Sequence, residues 1–346
     1  MALPLPPNDL EHVSLHTRDL WDEMRDQHIF ITGGTGFFGC WLVETFAYIN
    51  RTQKLSAHAA VLTRDPVAFS KKCPHIASDP SISLVSGDVR NFSYPDGEFK
   101  YVIHAATDTS VKEEAESPLQ RLETILEGTD RTLKFAAGHG TEKLLFTSSG
   151  AVYGKQRVTH VAEDDRGAPD PLDPTSVYAE GKRAAELMCS LYAKSHAMEC
   201  KIARCFAFVG PHLPLDAHFA IGNFIRDSMR GGPIEINGDG TPTRSYLYAA
   251  DLAIWLWTML FRAPSLRAFN VGSENAINIG ELAFCVSSAI DSSVKVNIAK
   301  EPVEGREIQR YVPLTKRARE ELGLVEHIQL DDAIRRTAAW YGLGRK

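Results

Sequence analysis

A glycine-rich turn, Gly33-Gly34-Thr35-Gly36-Phe37-Phe38-Gly39, follows the short apolar run His28-Ile29-Phe30-Ile31-Thr32. After it, the segment from Cys40 to Phe46 carries apolar residues at helical spacing. Strand, tight turn and helix in that order open a β–α–β unit. Both Gly34-x-Gly36-x-x-Gly39 and Gly33-x-x-Gly36-x-x-Gly39 fit the spacing of a dinucleotide-binding turn. A Cβ there would block close approach of backbone to a pyrophosphate, and the helix N-terminus stabilises the negative charge. Gly33, Gly36, Phe37, Phe38 and Gly39 are therefore the first cofactor-binding candidates.

The pattern repeats along the chain. Buried-strand signals at 59–62, 83–85, Tyr101–His104, 143–147 and 199–204 alternate with helical patterns such as Pro118–Gly138 and 177–196. Short apolar strands between amphipathic helices predict an α/β fold, a doubly wound parallel sheet of Rossmann type covered on both faces. Residues 1–27 read as an N-terminal extension with a short helix at 17–26, and 28–210 as the nucleotide-binding domain. From 211 the rhythm loosens around Gly231-Gly232-Pro233 and 238–242. Residues 211–346 are expected to form a smaller C-terminal substrate-binding lobe, partly interleaved with the first.

Charge narrows the partners. A net charge of −6, from 38 basic and 44 acidic residues, gives no basic field for nucleic acid, while a local cationic pocket for phosphate stays compatible. The six cysteines are irregularly spaced without a CxxC pair, and the twelve histidines include no HExxH. That predicts reduced thiols and no metal site. The opening MALPLPPNDLEH lacks an apolar signal core, and the longest apolar stretch, 252–261, is too short for a bilayer. A soluble, cytoplasmic protein is expected.

Three further segments carry chemistry. Arg64 follows the second strand signal, with Thr63 where an acid would meet the ribose of NAD. An arginine there can pair with a 2′-phosphate, so NADP(H) is favoured and NAD(H) is the alternative, Asp65 being able to serve a ribose. Tyr178 and Lys182 are four residues apart, hence on one helix face, where the ammonium is expected to lower the phenol pKa. Ser148-Ser149-Gly150-Ala151-Val152-Tyr153-Gly154 offers a hydroxyl after a strand, and Ala105-Ala106 after Val102-Ile103-His104 leaves room for a nicotinamide.

With Gly87-Asp88-Val89 and GDGTPTRSYLYAADLA, these motifs run in one order, and the chain resembles the extended short-chain dehydrogenase/reductases. The likeness is to the NAD(P)-dependent epimerase/dehydratase group that modifies nucleotide sugars, from 28 to beyond 322. The resemblance implies that Ser149 polarises a sugar oxygen, Tyr178 is the acid/base and Lys182 holds the nicotinamide ribose. It places Asp88 and Val89 beside the adenine, Ala105 and Ala106 beside the nicotinamide, and Arg244 on the substrate diphosphate. Asn223 and Arg306 are implied as further substrate contacts, with Arg310 the alternative second phosphate arginine. It also implies a homodimer through helices Pro118–Gly138 and 177–196, and a nucleoside-diphosphate sugar as substrate.

The departures shape the expected reaction. Dehydratases of this group carry an Asp-Glu pair after the catalytic hydroxyl residue and decarboxylases usually a glutamate, whereas this chain has Gly150 and Ala151, which move no protons. Ile125 and Ala207 stand where the group often has asparagine. Hydride transfer at sugar C4 by a 4-keto-sugar reductase is favoured. The alternatives are a 4-epimerase with tightly bound NAD, a dehydratase or decarboxylase with non-standard acid/base groups, and a non-catalytic dinucleotide sensor. Tyr153 and His104 are expected to be structural, His212 and His218 to lie at the surface, and Cys205, Trp255 and Trp257 to be core.

Overall fold

Alternate residues of each strand face opposite ways, and here both sets are apolar, so the sheet must be covered on both sides. The computed structural model describes residues 1–106, 117–217 and 219–343. Its strands β1 (His28–Thr32), β2 (His58–Thr63), β3 (Ile82–Ser86), β4 (Tyr101–His104), β5 (Lys143–Ser149) and β6 (Glu199–Cys205) join Ala268–Val271 in one sheet. The spatial order is Ala268–Val271, β6, β5, β4, β1, β2, β3, and every pairing is parallel. This is the Rossmann-like arrangement, with strand order reversing between β1 and β4, where a crevice opens at the carboxyl ends.

Helices α1 (Pro7–His16), α2 (Phe37–Gln53), α3 (Pro66–Lys72), α4 (Pro74–Ala77), α5 (Pro118–Gly138), α6 (Val177–Ser195), α7 (Ala220–Met229) and α8 (Ala249–Arg262) follow in chain order. Phe30, Leu62, Val102, Leu144, Phe146 and Ile202 pack against α5 and α6. Their strand neighbours Ile29, Ile31, Val61, Ile103, Leu145 and Ala203 pack on the other face with α2 and α8. The start of α5 is fixed locally: Ser117 and Gln120 form a reciprocal capping box, and Pro118 sits in the first turn.

The N-terminal segment folds earlier than its pattern suggests. The helix is α1, and 17–26 instead carries a 3₁₀ turn at Arg18–Met24. Leu5, Val13, Trp21 and Met24 join the larger core. Asp9 is buried and accepts hydrogen bonds from Tyr248 Oη at 2.6 Å and Arg336 Nη1 at 2.7 Å. The apolar stretch 252–261 lies within α8, buried throughout. Among the described residues no helix is long and apolar enough to cross a membrane.

A small sheet positions the rest of the cleft. Thr243–Arg244 pairs antiparallel with Ile277–Asn278 and parallel with Arg310–Tyr311, with Arg244 opposite Tyr311. Two-residue strands of this kind carry almost no periodic signal in sequence.

Candidate active site

Gly33 ends β1 with φ +70°, and a Cβ there would lie 2.5 Å from the Ala105 carbonyl carbon. Turn packing alone therefore demands glycine at 33. Gly36 is different. It is exposed, its φ is −84°, and an added Cβ would meet nothing nearer than the Gly33 carbonyl oxygen at 3.4 Å. The protein's own packing does not require glycine there, yet a side chain would fill the cradle at the start of α2. Gly36 is the N-cap of that helix and no side chain caps the amides that follow. An uncapped helix start with a bare approach fits the pyrophosphate of a dinucleotide.

The neighbouring strand end is bolted in place. Ala106 N–H donates to Thr32 Oγ1 at 3.2 Å, and Ala105 N–H to the Thr32 carbonyl at 3.2 Å. His104 Nδ1 lies 2.7 Å from the same Thr32 hydroxyl and Nε2 lies 3.1 Å from Thr129 Oγ1. Burial, with the Lys182 charge adding to it, pushes His104 down to about 3. It stays a neutral strut and moves no protons near pH 7.

At the adenosine end, Arg64 is exposed just past β2. Asp88 accepts from Arg90 Nε at 2.8 Å, and Arg90 first, then Arg64 more weakly, hold its carboxyl below the usual range. Val89 packs onto Gly128 of α5, where an added Cβ would come within 2.8 Å of it. Asp65 caps α3, its Oδ1 accepting the Ala68 N–H at 2.9 Å.

Ser149, Tyr178 and Lys182 meet between β5 and α6. Ser149 Oγ accepts the Ala151 N–H at 3.1 Å and lies 3.1 Å from Tyr311 Oη. Tyr178 is half-buried with its hydroxyl enclosed; burial pushes it up to about 12, opposed by its hydrogen bond with Ser149. Lys182 is 2% exposed, donates to the Thr147 carbonyl at 2.8 Å, and is pushed down to about 8 by burial. Its Nζ stands 6.0 Å from the Tyr178 ring centre. The expected lowering of the Tyr178 pKa by Lys182 is thus not realised: enclosure of the phenol outweighs an ammonium directed at a carbonyl. Near neutral pH the phenol is a proton donor. Ile125 packs against Gly181, where a Cβ would be 3.0 Å from its Cδ1, so an apolar contact stands where an amide was missing.

The residue that sequence reading missed is Tyr311. Its hydroxyl reaches Ser149 and donates to the Cys205 carbonyl at 3.2 Å, while its ring lies 4.7 Å from that of Phe206. The Phe206 ring in turn covers Gly150, where an added Cβ would be 2.6 Å from it. The positions after Ser149 thus carry no acid and are roofed by an aromatic wall. Arg244 stands with its guanidinium 6.0 Å from the Tyr311 ring centre and donates to the Thr243 carbonyl at 2.9 Å.

Other candidates separate. Arg310 shares the short strand with Tyr311, whereas Arg306 is an exposed loop residue 3.6 Å from Asp239. Arg306 lines a cavity of about 180 Å³ with Asp239, Thr241 and Lys300. Asn223 Oδ1 accepts from Arg226 Nη1 at 3.2 Å, on its own helix. His212 is not at the surface: it is buried with Nε2 3.0 Å from Glu44 Oε1, because its loop folds back onto α2. His218 lies outside the described residues. Tyr153 is structural, bonded to Asn270 Oδ1 at 2.7 Å, and Cys205, Trp255 and Trp257 are core.

Comparison with known proteins bears on the family and the fold. The model of the NAD dependent epimerase/dehydratase family matches residues 29–272. UDP-glucuronic acid decarboxylase 1 of Arabidopsis thaliana is 29% identical over 308 residues, 89% of this chain and 68% of that protein. The UDP-N-acetylglucosamine 4-epimerase of Methanobrevibacter ruminantium is similar in structure, with TM-score 0.78 at 20% identity, covering 93% of this chain and 100% of that one. The Thermus thermophilus UDP-glucose 4-epimerase in complex with NAD gives TM-score 0.73 at 25% identity, covering 91% and 99%.

Proposed function

The chain belongs to the NAD-dependent epimerase/dehydratase family, enzymes of the extended short-chain dehydrogenase/reductase type, and we propose that it reduces a 4-keto sugar carried on a nucleoside diphosphate. The observation that carries this reading is the wall beside Ser149. Gly150 and Ala151 supply no proton carrier, and Phe206 fills the room a side chain at 150 would need. Tyr178, held protonated, is suited to giving its proton to the C4 oxygen while Ser149 Oγ fixes that oxygen. The nicotinamide, when bound, supplies the hydride. Lys182 is placed to hold its ribose, Ala105 and Ala106 to leave room beside the ring, and Arg244 with Arg310 to meet the diphosphate, a guanidinium being suited to bidentate phosphate contact.

A second reading has the relatives in its favour. Decarboxylation of a nucleotide-linked uronic acid begins with oxidation at C4 by the same trio, but positions 150 and 151 lack the usual acid. The cofactor kept through gentle purification separates the readings. Loosely held NADP(H) supports the reductase; stoichiometric, tightly held NAD supports an epimerase or decarboxylase cycle.

For the cofactor we propose NADP(H). Asp65 is occupied in capping α3, which leaves Arg64 as the charged group at the end of β2. Arg64→Ala is expected to weaken NADP binding about tenfold or more, from roughly 1.5–3 kcal/mol of lost charge-assisted contact, while NAD affinity stays nearly constant. Equal changes for both cofactors in titration calorimetry would refute that role.

The assembly we propose is a homodimer through α5 and α6. Leu119, Leu187 and Leu191 on these helices are 63%, 61% and 58% exposed, apolar area that pairing of two copies would cover. Sedimentation should show a dimer at micromolar concentration and a monomer for Leu187→Glu/Leu191→Glu. A wild-type monomer would count against the pairing.

A further inference from the structure

Among the described residues one group of side chains could hold a metal ion: Cys40, Cys73 and His212, all buried, with ligand atoms within 4.8 Å of one another. The proposed reaction uses none of them. Cys40 lies in the first turn of α2, Cys73 links α3 to α4, and His212 follows the strand Phe208–Val209. The Cys40 thiol donates to the Thr35 carbonyl at 3.7 Å, and its sulfur faces Cys73 and His212 in the same buried space.

The surroundings resemble a built ligand shell more than an apolar core. Glu44, one helical turn beyond Cys40, has Oε1 3.0 Å from His212 Nε2 and 3.1 Å from His75 Nε2, and Oε2 accepts the Leu5 N–H at 2.7 Å. His212 takes a left-handed backbone at φ +69°, a conformation non-glycine residues adopt only when their surroundings enforce it.

We infer that Cys40, Cys73 and His212 bind a zinc ion. Tetrahedral zinc, with Zn–S about 2.3 Å and Zn–N about 2.0–2.1 Å, sets its ligand atoms about 3.5–3.8 Å apart. Contraction by about 1 Å from the present spread suffices, within the reach of side-chain rotation. Binding displaces the two thiol protons to solvent; the two thiolates balance the ion's charge, and His212 binds neutral. Glu44 supplies the carboxylate that commonly orients a metal-bound imidazole. Three protein ligands leave a fourth position for water. The expectation of no metal rested on spacing along the sequence, which does not register ligands drawn from three distant segments. The ion would tie the helix that cradles the pyrophosphate to the loop leading into the second lobe.

The test uses the full chain produced with zinc in the medium. Metal analysis after exhaustive dialysis should give about one zinc per chain, and cobalt replacement should give visible absorption of tetrahedral thiolate type. Cys73→Ser and His212→Gln should each lose the metal, Glu44→Gln should bind it about 10–100-fold more weakly, and Cys285→Ser should match wild type. Should the first two variants fail to fold, the wild-type cobalt spectrum and the Glu44→Gln titration still decide. Less than a tenth of an equivalent of zinc with no cobalt band would overturn the inference. So would metal content indifferent to Cys73→Ser, or a Cys40–Cys73 disulfide in the untreated protein.

Discussion

Tyr178→Phe is expected to lower turnover by about 10²–10⁴-fold while leaving cofactor affinity nearly unchanged. The variant keeps the ring that packs beside α5 and deletes only the hydroxyl that meets Ser149. Since that hydroxyl is already protonated near neutral pH, its loss removes the group proposed as proton donor to the sugar oxygen and leaves the turn at Gly36, proposed as the cofactor cradle, untouched. Rates within a few-fold of wild type would remove Tyr178 from the chemistry.

Lys182→Met should damage turnover and cofactor binding together, because on the proposed reading one side chain holds the nicotinamide ribose and braces the Thr147 carbonyl two residues before Ser149. A loss of at least tenfold in each is expected, read from single-turnover rates and from cofactor titration. The fold should survive, since methionine fills a similar volume and carries no charge into a site where Lys182 is 2% exposed. Stability against pH gives a separate readout. Burial holds the Lys182 pKa near 8, below its ordinary 10.5. Between those values the unfolded chain binds a proton that the folded one does not. Wild-type stability therefore rises with pH across that window by about 3 kcal/mol relative to the methionine variant. A flat difference would mean that the ammonium is not desolvated.

What could be read from the sequence follows from how each feature is encoded. The glycine turn, β4 and α5 rest on local signals: an apolar run, a φ that only glycine accepts easily, a proline beside a capping box. The trio of Ser149, Tyr178 and Lys182 was legible for the same reason, each member sitting in a motif at the end or on one face of a strong element. Tyr311 was not. It enters through a two-residue strand whose register is set by Arg244, and no periodicity announces such a strand. Phe206 over Gly150 was equally silent, because a glycine in a turn does not reveal which ring fills its missing side chain. Electrostatics misled in one respect. Spacing put an ammonium beside a phenol, but burial of both groups governs their protonation.

Those silent residues are what the proposed reaction rests on. Among the described residues, Phe206 and Tyr311 wall the side of Ser149 on which Gly150 and Ala151 carry no acid. The Tyr311 hydroxyl, its pKa raised by burial, donates to the Cys205 carbonyl and stands 3.1 Å from Ser149 Oγ, whose proton it can accept. On the reading proposed above, this arrangement suits addition of hydrogen to a ketone rather than removal of a group from a neighbouring carbon.

The most direct measurement follows cofactor and sugar together, with deuterium-labelled NADPH and a nucleoside-diphosphate 4-keto-hexose. Reduction predicts one NADPH oxidised per sugar converted, with deuterium found at C4 of the product. No net NADPH oxidation, alongside interconversion of C4 epimers or release of carbon dioxide from UDP-glucuronic acid, would contradict it.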